Sequence, residues 1–215
     1  MIGVLASGSG SNLGALLAQP DIKEQISVVI SNNPNAKALQ RATEAGVPAV
    51  LINHREFEQR DLFDQAIRDA LLQHDVEWVV LAGFMRIVGE DLLKAFPSHI
   101  LNIHPALLPS FPGLHGQRQA IAGSAKISGC TVHLVDRGVD TGPILAQAAL
   151  PVHINDDVIS LSKRILRLEH QLYPAVIKSI LADGVYKKPN GCWQLARGLS
   201  DQLPDIQPGV LFSPL

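Results

Sequence analysis

Five short apolar runs alternate with amphipathic segments through the first half of the chain, and this rhythm constrains the fold more than any other feature. The runs cover residues 2–6, 26–30, 49–52, 78–81 and 100–103. Each is too short for a buried helix and apolar at successive positions, as in a strand covered on both faces. Between them, residues 13–19, 36–45, 57–73 and 91–96 show helical spacing. In the third, Phe57, Phe63, Ile67, Ala70 and Leu71 form one stripe, with Glu58, Arg60, Asp64 and Arg68 mostly off it. Gly46 follows the second helix, where a left-handed cap is wanted. Strand–helix alternation with short connections predicts an α/β fold, a mainly parallel sheet with right-handed crossovers and helices on both faces.

The rhythm changes after His115. Residues 117–122 read as a short helix. Residues 127–135 and 144–152 read as two longer strands, joined by 136–142 into a hairpin that extends the sheet with antiparallel strands. Asn155 or Asp156 is placed to cap a long helix over 158–182, with Leu161, Ile165, Leu168, Leu172, Val176, Ile177 and Ile180 inward. Residues 189–215 hold four prolines and little periodicity, which predicts a loosely packed extension.

Composition narrows the partners. The formal net charge is −2, so no global field draws the chain to nucleic acid or membrane. No apolar run reaches the roughly 18 residues a membrane span needs, and the start lacks a signal-peptide pattern. The two cysteines form neither a metal pattern nor a disulfide framework. A cytoplasmic protein without a metal is expected.

Several segments carry candidate chemistry. The first strand runs into Ala6-Ser-Gly-Ser-Gly-Ser-Asn-Leu13 before a helix, where Gly8 and Gly10 allow a tight turn and free amides can meet an anion. The Gly8, Gly10, Gly14 spacing is not the dinucleotide fingerprint, and the second strand ends in Ser31-Asn-Asn33 without a ribose-gripping acid. A single phosphate suits this loop better than a pyrophosphate; an ordinary capped turn is the plainer alternative. The fifth strand ends in Asn102-Ile-His104, and the following loop is denied a helix by Pro105, Pro109 and Pro112. Strand residues two apart share a face, so an amide that can hold a carbonyl oxygen stands with an imidazole that can move a proton. A turn-forming Asn and a structural His would fit the same pattern. Asp136 and Asp140 lie in a glycine-containing loop and read first as turn formers, although a carboxylate beside His104 would orient its ring. Glu169-His170 reads as a solvated helix face. Gly83 and the apolar residues of Leu81–Val88 read either as a flat wall or as core at a strand-to-helix turn.

Together these segments resemble the phosphoribosylglycinamide formyltransferases. The matching stretches are Ser7-Gly-Ser-Gly-Ser-Asn-Leu13, Val80-Leu-Ala-Gly-Phe-Met-Arg-Ile87, Leu101-Asn-Ile-His-Pro-Ala-Leu-Leu-Pro109, Phe111-Pro-Gly-Leu-His115, Gly129-Cys-Thr-Val-His133, Val139-Asp-Thr-Gly-Pro-Ile144 and Glu169-His-Gln-Leu-Tyr-Pro174, in the family's order. The Asn-x-His-Pro-x-Leu-Leu-Pro block alone is shared by the wider formyl-folate superfamily. The resemblance implies a Rossmann-like nucleotide half over about 1–100, a folate-binding and catalytic half over 101–188, and an extension over 189–215. It implies transfer of a formyl group from 10-formyltetrahydrofolate to the amine of glycinamide ribonucleotide in purine biosynthesis. Carried over by position, Asn102, His104 and Asp140 would be catalytic. Gly10, Ser11, Asn12 and Glu169 would bind phosphate and ribose, which raises Glu169 above the solvated-face reading. Arg60, Met85, Arg86, Ile87, Val88, Asn102, Asp136, Arg137, Gly138, Val139 and Asp140 would bind folate. A monomer or homodimer is implied, with no metal.

The nearest rival is a formyltetrahydrofolate hydrolase, expected to carry an extra N-terminal module that this chain, starting at its first strand, lacks. A formyltransferase acting on methionyl-tRNA or a sugar amine would lack the Phe111–His115 match, and the tRNA enzyme would bring a separate RNA-binding domain. A non-catalytic nucleotide-binding module would not need Asn102, His104 and Asp140 together.

Overall fold

The structure is a computed structural model that describes residues 1–196, 199 and 210–212. The chain divides into two compact units, Met1–Asn102 with Val135–Arg137, and Ile103–Leu134 with Gly138–Leu215.

The first unit is strand–helix throughout. In order it holds β1 (Ile2–Ala6), α1 (Ser11–Leu17), α2 (Pro20–Lys23), β2 (Ile26–Ser31), α3 (Lys37–Glu44), β3 (Ala49–Leu51), α4 (Arg60–Gln73), β4 (Trp78–Leu81), α5 (Glu90–Ala95) and the start of β5 (Ile100–His104). Its strands lie in the order β5-β4-β1-β2-β3, all parallel. The chain winds outward from β1 to β3, then returns to place β4 on the other side of β1. The winding therefore reverses between β1 and β4, and loops at such a reversal part to leave a crevice at the carboxyl ends. The two faces of β1 separate cleanly. Leu5 joins a core with Phe63, Ile67 and Leu71 of α4 and Leu92 of α5. Ile2, Val4 and Ala6 are buried on the opposite face, as the strand alternation requires.

The second unit holds α6 (Gly116–Ala122), β6 (Ile127–Leu134), β7 (Ile144–Pro151), α7 (Val158–Asp183), β8 (Val185–Lys187), β9 (Trp193–Leu195) and β10 (Val210–Phe212). The expected β6–β7 hairpin is antiparallel. β10 adds antiparallel to β7, and β8 and β9 form a small ribbon. No helix among the described residues is long and apolar enough to cross a membrane.

Four local expectations need correction. The third helix starts at Arg60 rather than 57, because the Asn53 side chain accepts from Arg55 N and closes a separate 3-10 turn over His54–Glu56. The first helix stops at Leu17, and Pro20 opens the distinct α2, its missing N–H costing nothing at a helix start. The cap of α7 is Asp157, not Asn155 or Asp156. Asp157 accepts from Ser160 N at 2.7 Å and Ser160 Oγ accepts from Asp157 N at 3.0 Å, while Asp156 is drawn off by Arg164 at 2.6 Å. β9 and β10 lie within the stretch expected to be a loose extension; much of its remainder is outside the described residues. Gly46 does cap α3 in the left-handed region, at φ 74°, with Val47 N donating to Ala42 O at 2.9 Å.

Candidate active site

The loop after β1 owes its shape to α3 and to β2. Asn33 Nδ2 donates to Ser7 O at 3.1 Å, Ala38 N to Gly8 O at 3.3 Å, and Arg41 Nε to Ser9 O at 3.0 Å. Three successive carbonyls thus turn toward one side. In a trans peptide the next N–H points opposite to the carbonyl, so the amides of Gly8, Ser9 and Gly10 turn the other way. A run of amides turned to one side is the kind of arrangement that suits a small oxyanion. Gly10 is required here: its φ is 65°, and a Cβ would lie 2.9 Å from Ala38 Cα. Ser11 and Asn12 then open α1, with Asn12 buried. Gly10, Ser11 and Asn12 thus lie together.

The segment after β4 turns at Gly83, with φ 75°. It presents Met85 and Ile87 to solvent, 71% and 55% exposed, and buries Val88. Arg86 lies over the Phe63 ring, 5.2 Å from its centroid. Arg60, Ile87, Val88 and Arg137 line a single cavity of about 580 Å³ with Asp64 and Glu90 among its acids. Arg60 Nη2 donates to Ile87 O at 2.7 Å, and Arg137 Nε lies 3.7 Å from Glu90. Asp64 is buried at the amino end of α5, pressed so closely on Gly89 that a Cβ there would land on its carboxylate. Burial pushes the Asp64 carboxyl up from its ordinary range, against the pull of Arg60 and Arg86. Asn102, half-buried, is the last residue of this unit before Val135.

In the second unit His104 and Asp140 come together. His104 is 4% exposed. Its Nδ1 lies 3.2 Å from Asp140 Oδ2, and its Nε2 lies 2.9 Å from Phe111 O. A carbonyl and a carboxylate both accept, so each ring nitrogen faces an acceptor. Gly113 N donates to Asp140 Oδ2 at 2.8 Å, and His133 Nε2 lies 3.6 Å from Oδ1. Burial alone would raise the Asp140 carboxyl. Hydrogen bonds from His133 and Gly113, with the two imidazoles nearby, outweigh it and hold the group below its ordinary range. Phe111 and Asp140 themselves sit at φ 58° and 56°, sparsely populated for residues with side chains and frequent at functional sites.

The proline-rich loop after β5 is pinned by Thr131. Its hydroxyl donates to Ala106 O at 2.7 Å and accepts from Leu108 N at 3.0 Å, while Gln147 Nε2 donates to Leu108 O at 2.8 Å. Gly138 and Val139 share the loop of Asp140, whereas Asp136 and Arg137 belong to the first unit. Glu169 is buried on α7 and is not a solvated face. It lies near Cys130, whose thiol is pushed well up by burial and by that carboxylate.

Sequence reasoning missed Ser7, Asn33 and Arg41 as loop builders, Thr131 as the pin of the proline-rich loop, and His133 beside the carboxylate. Thr131 and His133 are two apart on β6, next to the aspartate loop, and that alternation was the available signal. The Phe111 carbonyl left none, because a backbone acceptor is the same in every residue.

Residues 1–177 match the formyl transferase family model. The chain is 41% identical over 183 residues to a phosphoribosylglycinamide formyltransferase of Bacillus subtilis, covering 83% of this chain and 93% of that protein. It is 43% identical over 185 residues to the trifunctional purine biosynthetic protein adenosine-3 of Drosophila melanogaster, covering 84% of this chain but only 14% of that longer protein. The crystal structure of glycinamide ribonucleotide transformylase 1 from Symbiobacterium toebii superposes with a TM-score of 0.86 at 44% identity, covering 91% of this chain and 93% of that one. An α/β fold with a glycine-containing loop after its first strand and a buried histidine–aspartate pair is compatible with group transfer, and the chain belongs to the formyl transferase family. Within that family it falls among the phosphoribosylglycinamide formyltransferases.

Proposed function

We propose that the protein transfers the formyl group of 10-formyltetrahydrofolate to the amine of glycinamide ribonucleotide, releasing tetrahydrofolate, as a step of purine biosynthesis. The observation that carries the chemistry is the buried His104–Asp140 pair at 3.2 Å.

The substrate amine attacks the formyl carbon, a carbon–nitrogen bond forms, and negative charge gathers on the formyl oxygen. Asn102 and His104 stabilise that oxygen by donating hydrogen bonds. Because Nε2 of His104 is held by the Phe111 carbonyl at 2.9 Å, Nδ1 is the nitrogen that serves the reaction, its proton shared between Asp140 and the oxyanion. Asp140 balances the imidazolium charge and accepts, through a water, the proton the amine sheds. Collapse of the intermediate breaks the bond from the formyl carbon to the folate nitrogen, which takes up, through the same water, the proton that Asp140 accepted, and Asp140 returns to its carboxylate form. The folate arrives with its formyl group already activated, so the reading calls for no metal.

The amides of the loop after β1, with Gly10, Ser11 and Asn12, receive the phosphate, and Glu169 holds the ribose. Arg60, Met85, Arg86, Ile87, Val88, Asn102 and the stretch Asp136, Arg137, Gly138, Val139 and Asp140 receive the folate. The half built on β1–β5 is then the nucleotide half and the remainder the folate half, in a cytoplasmic enzyme. The deciding experiment is a tetrahydrofolate-release assay with 10-formyltetrahydrofolate, comparing glycinamide ribonucleotide with water as acceptor. Release that depends on glycinamide ribonucleotide is expected; equal release without it assigns a hydrolase.

A further inference from the structure

Ser7 uses every polar atom it has. Its N–H donates to Gly83 O at 3.1 Å, and its carbonyl accepts from Asn33 Nδ2 at 3.1 Å. Its hydroxyl donates to Asn32 Oδ1 at 2.6 Å and accepts from Met85 N at 2.8 Å. Asn32 is itself fixed, since its carbonyl accepts from His54 Nδ1 at 2.9 Å. Ser7 and Asn32 are 9% and 5% exposed.

The topology explains why one serine can do this. β1 and β4 are parallel neighbours, with Leu5 beside Leu81, so the loops leaving their carboxyl ends start side by side before they part at the reversal of the winding. On the functional reading above, the first loop receives phosphate and the second walls the folate. Two of the four bonds of Ser7, those to Gly83 and Met85, cross from one loop to the other.

We propose that Ser7 is a positioning residue that couples the two subsites: ordering the Gly8–Asn12 loop around phosphate orders the 83–88 segment for folate, and the reverse. The coupling rests on that functional reading. It requires no contact between Ser7 and either ligand, and it must be reciprocal, because linkage acts equally on both affinities. Removing the hydroxyl leaves Met85 N and Asn32 Oδ1 without their partner and releases one loop from the other.

The test is calorimetric titration of the whole protein with glycinamide ribonucleotide and with tetrahydrofolate, each alone and with the other saturating. In the wild type each ligand should tighten the other on the order of ten-fold. In Ser7→Ala that factor should fall to about one, and Ser7→Cys, similar in size with a weaker hydrogen-bonding group, serves if the alanine variant does not fold. A residue of purely structural importance would lower thermal stability and leave the factor in place, and that outcome overturns the coupling. A wild type that binds both ligands without linkage overturns it alone; one that binds neither defeats the functional reading and the coupling together.

Discussion

His104 Nδ1 and Gly113 N converge on the same oxygen of Asp140, at 3.2 and 2.8 Å. One partner is the histidine ring and the other is backbone, so the main chain helps to aim the carboxylate at the ring. Asp140→Asn keeps the shape and removes the charge. Its turnover should fall by about 10²–10⁴-fold while the far-ultraviolet circular dichroism stays that of the wild type. A variant that retains near wild-type turnover would refute the role given to Asp140.

The same group sets a pH dependence of stability. The Asp140 carboxyl is held below its ordinary value of 3.8 in the folded protein. A depressed carboxylate stabilises the fold fully above its unfolded value and ceases to do so as the pH falls through the folded one. The stability difference between wild type and Asp140→Asn should therefore be constant near neutrality and shrink below about pH 4. Urea midpoints of both proteins across that range measure it; a difference that grows on acidification means the sign is wrong.

Gly10→Ala strikes the phosphate loop twice, through a left-handed φ and through Ala38. The two effects should cost about 1–3 kcal/mol and raise KM for glycinamide ribonucleotide more than KM for the folate. Steady-state kinetics with each substrate varied in turn separate the two, and equal changes would argue against a phosphate loop.

Asp157→Ala removes the cap of α7 without touching the proposed machinery. Loss of such a cap costs about 1 kcal/mol, a fall of roughly 2–4 °C in Tm for a chain of this size. Turnover should stay at the wild-type value. The matching change at Asn155 should leave Tm where it was, since the capping role was expected there and found two residues later.

Legibility in the sequence followed the physics of each signal. β1, β2, β4 and β5 were readable because burial leaves nearly unbroken apolar runs, and β1 and β4 were bounded to the residue; β3, with Ala49 and Leu51 exposed, is not covered as its apolar run suggests. Asn102 and His104 were legible as a candidate pair because residues two apart at a strand end share a face, whereas Asp140 read first as a turn former and was singled out only by the family resemblance. The cap of α7 was not resolved because Asn155, Asp156 and Asp157 are chemically near-equal, and only the competing claim of Arg164 on Asp156 decides among them. Glu169 looked solvated because its neighbours His170 and Gln171 are polar, while α7 in fact buries more than one face. The carbonyl of Phe111 and the amide of Gly113 lie beyond side-chain reasoning altogether.

The seating of Asp64 against Gly89 ties the histories of two positions. A residue with any side chain at 89 must evict the carboxylate, and a shorter residue at 64 leaves a hollow beneath the amino end of α5. Neither position can drift alone at low cost. Among descendants of a common ancestor, change at the two should therefore arrive in pairs or not at all.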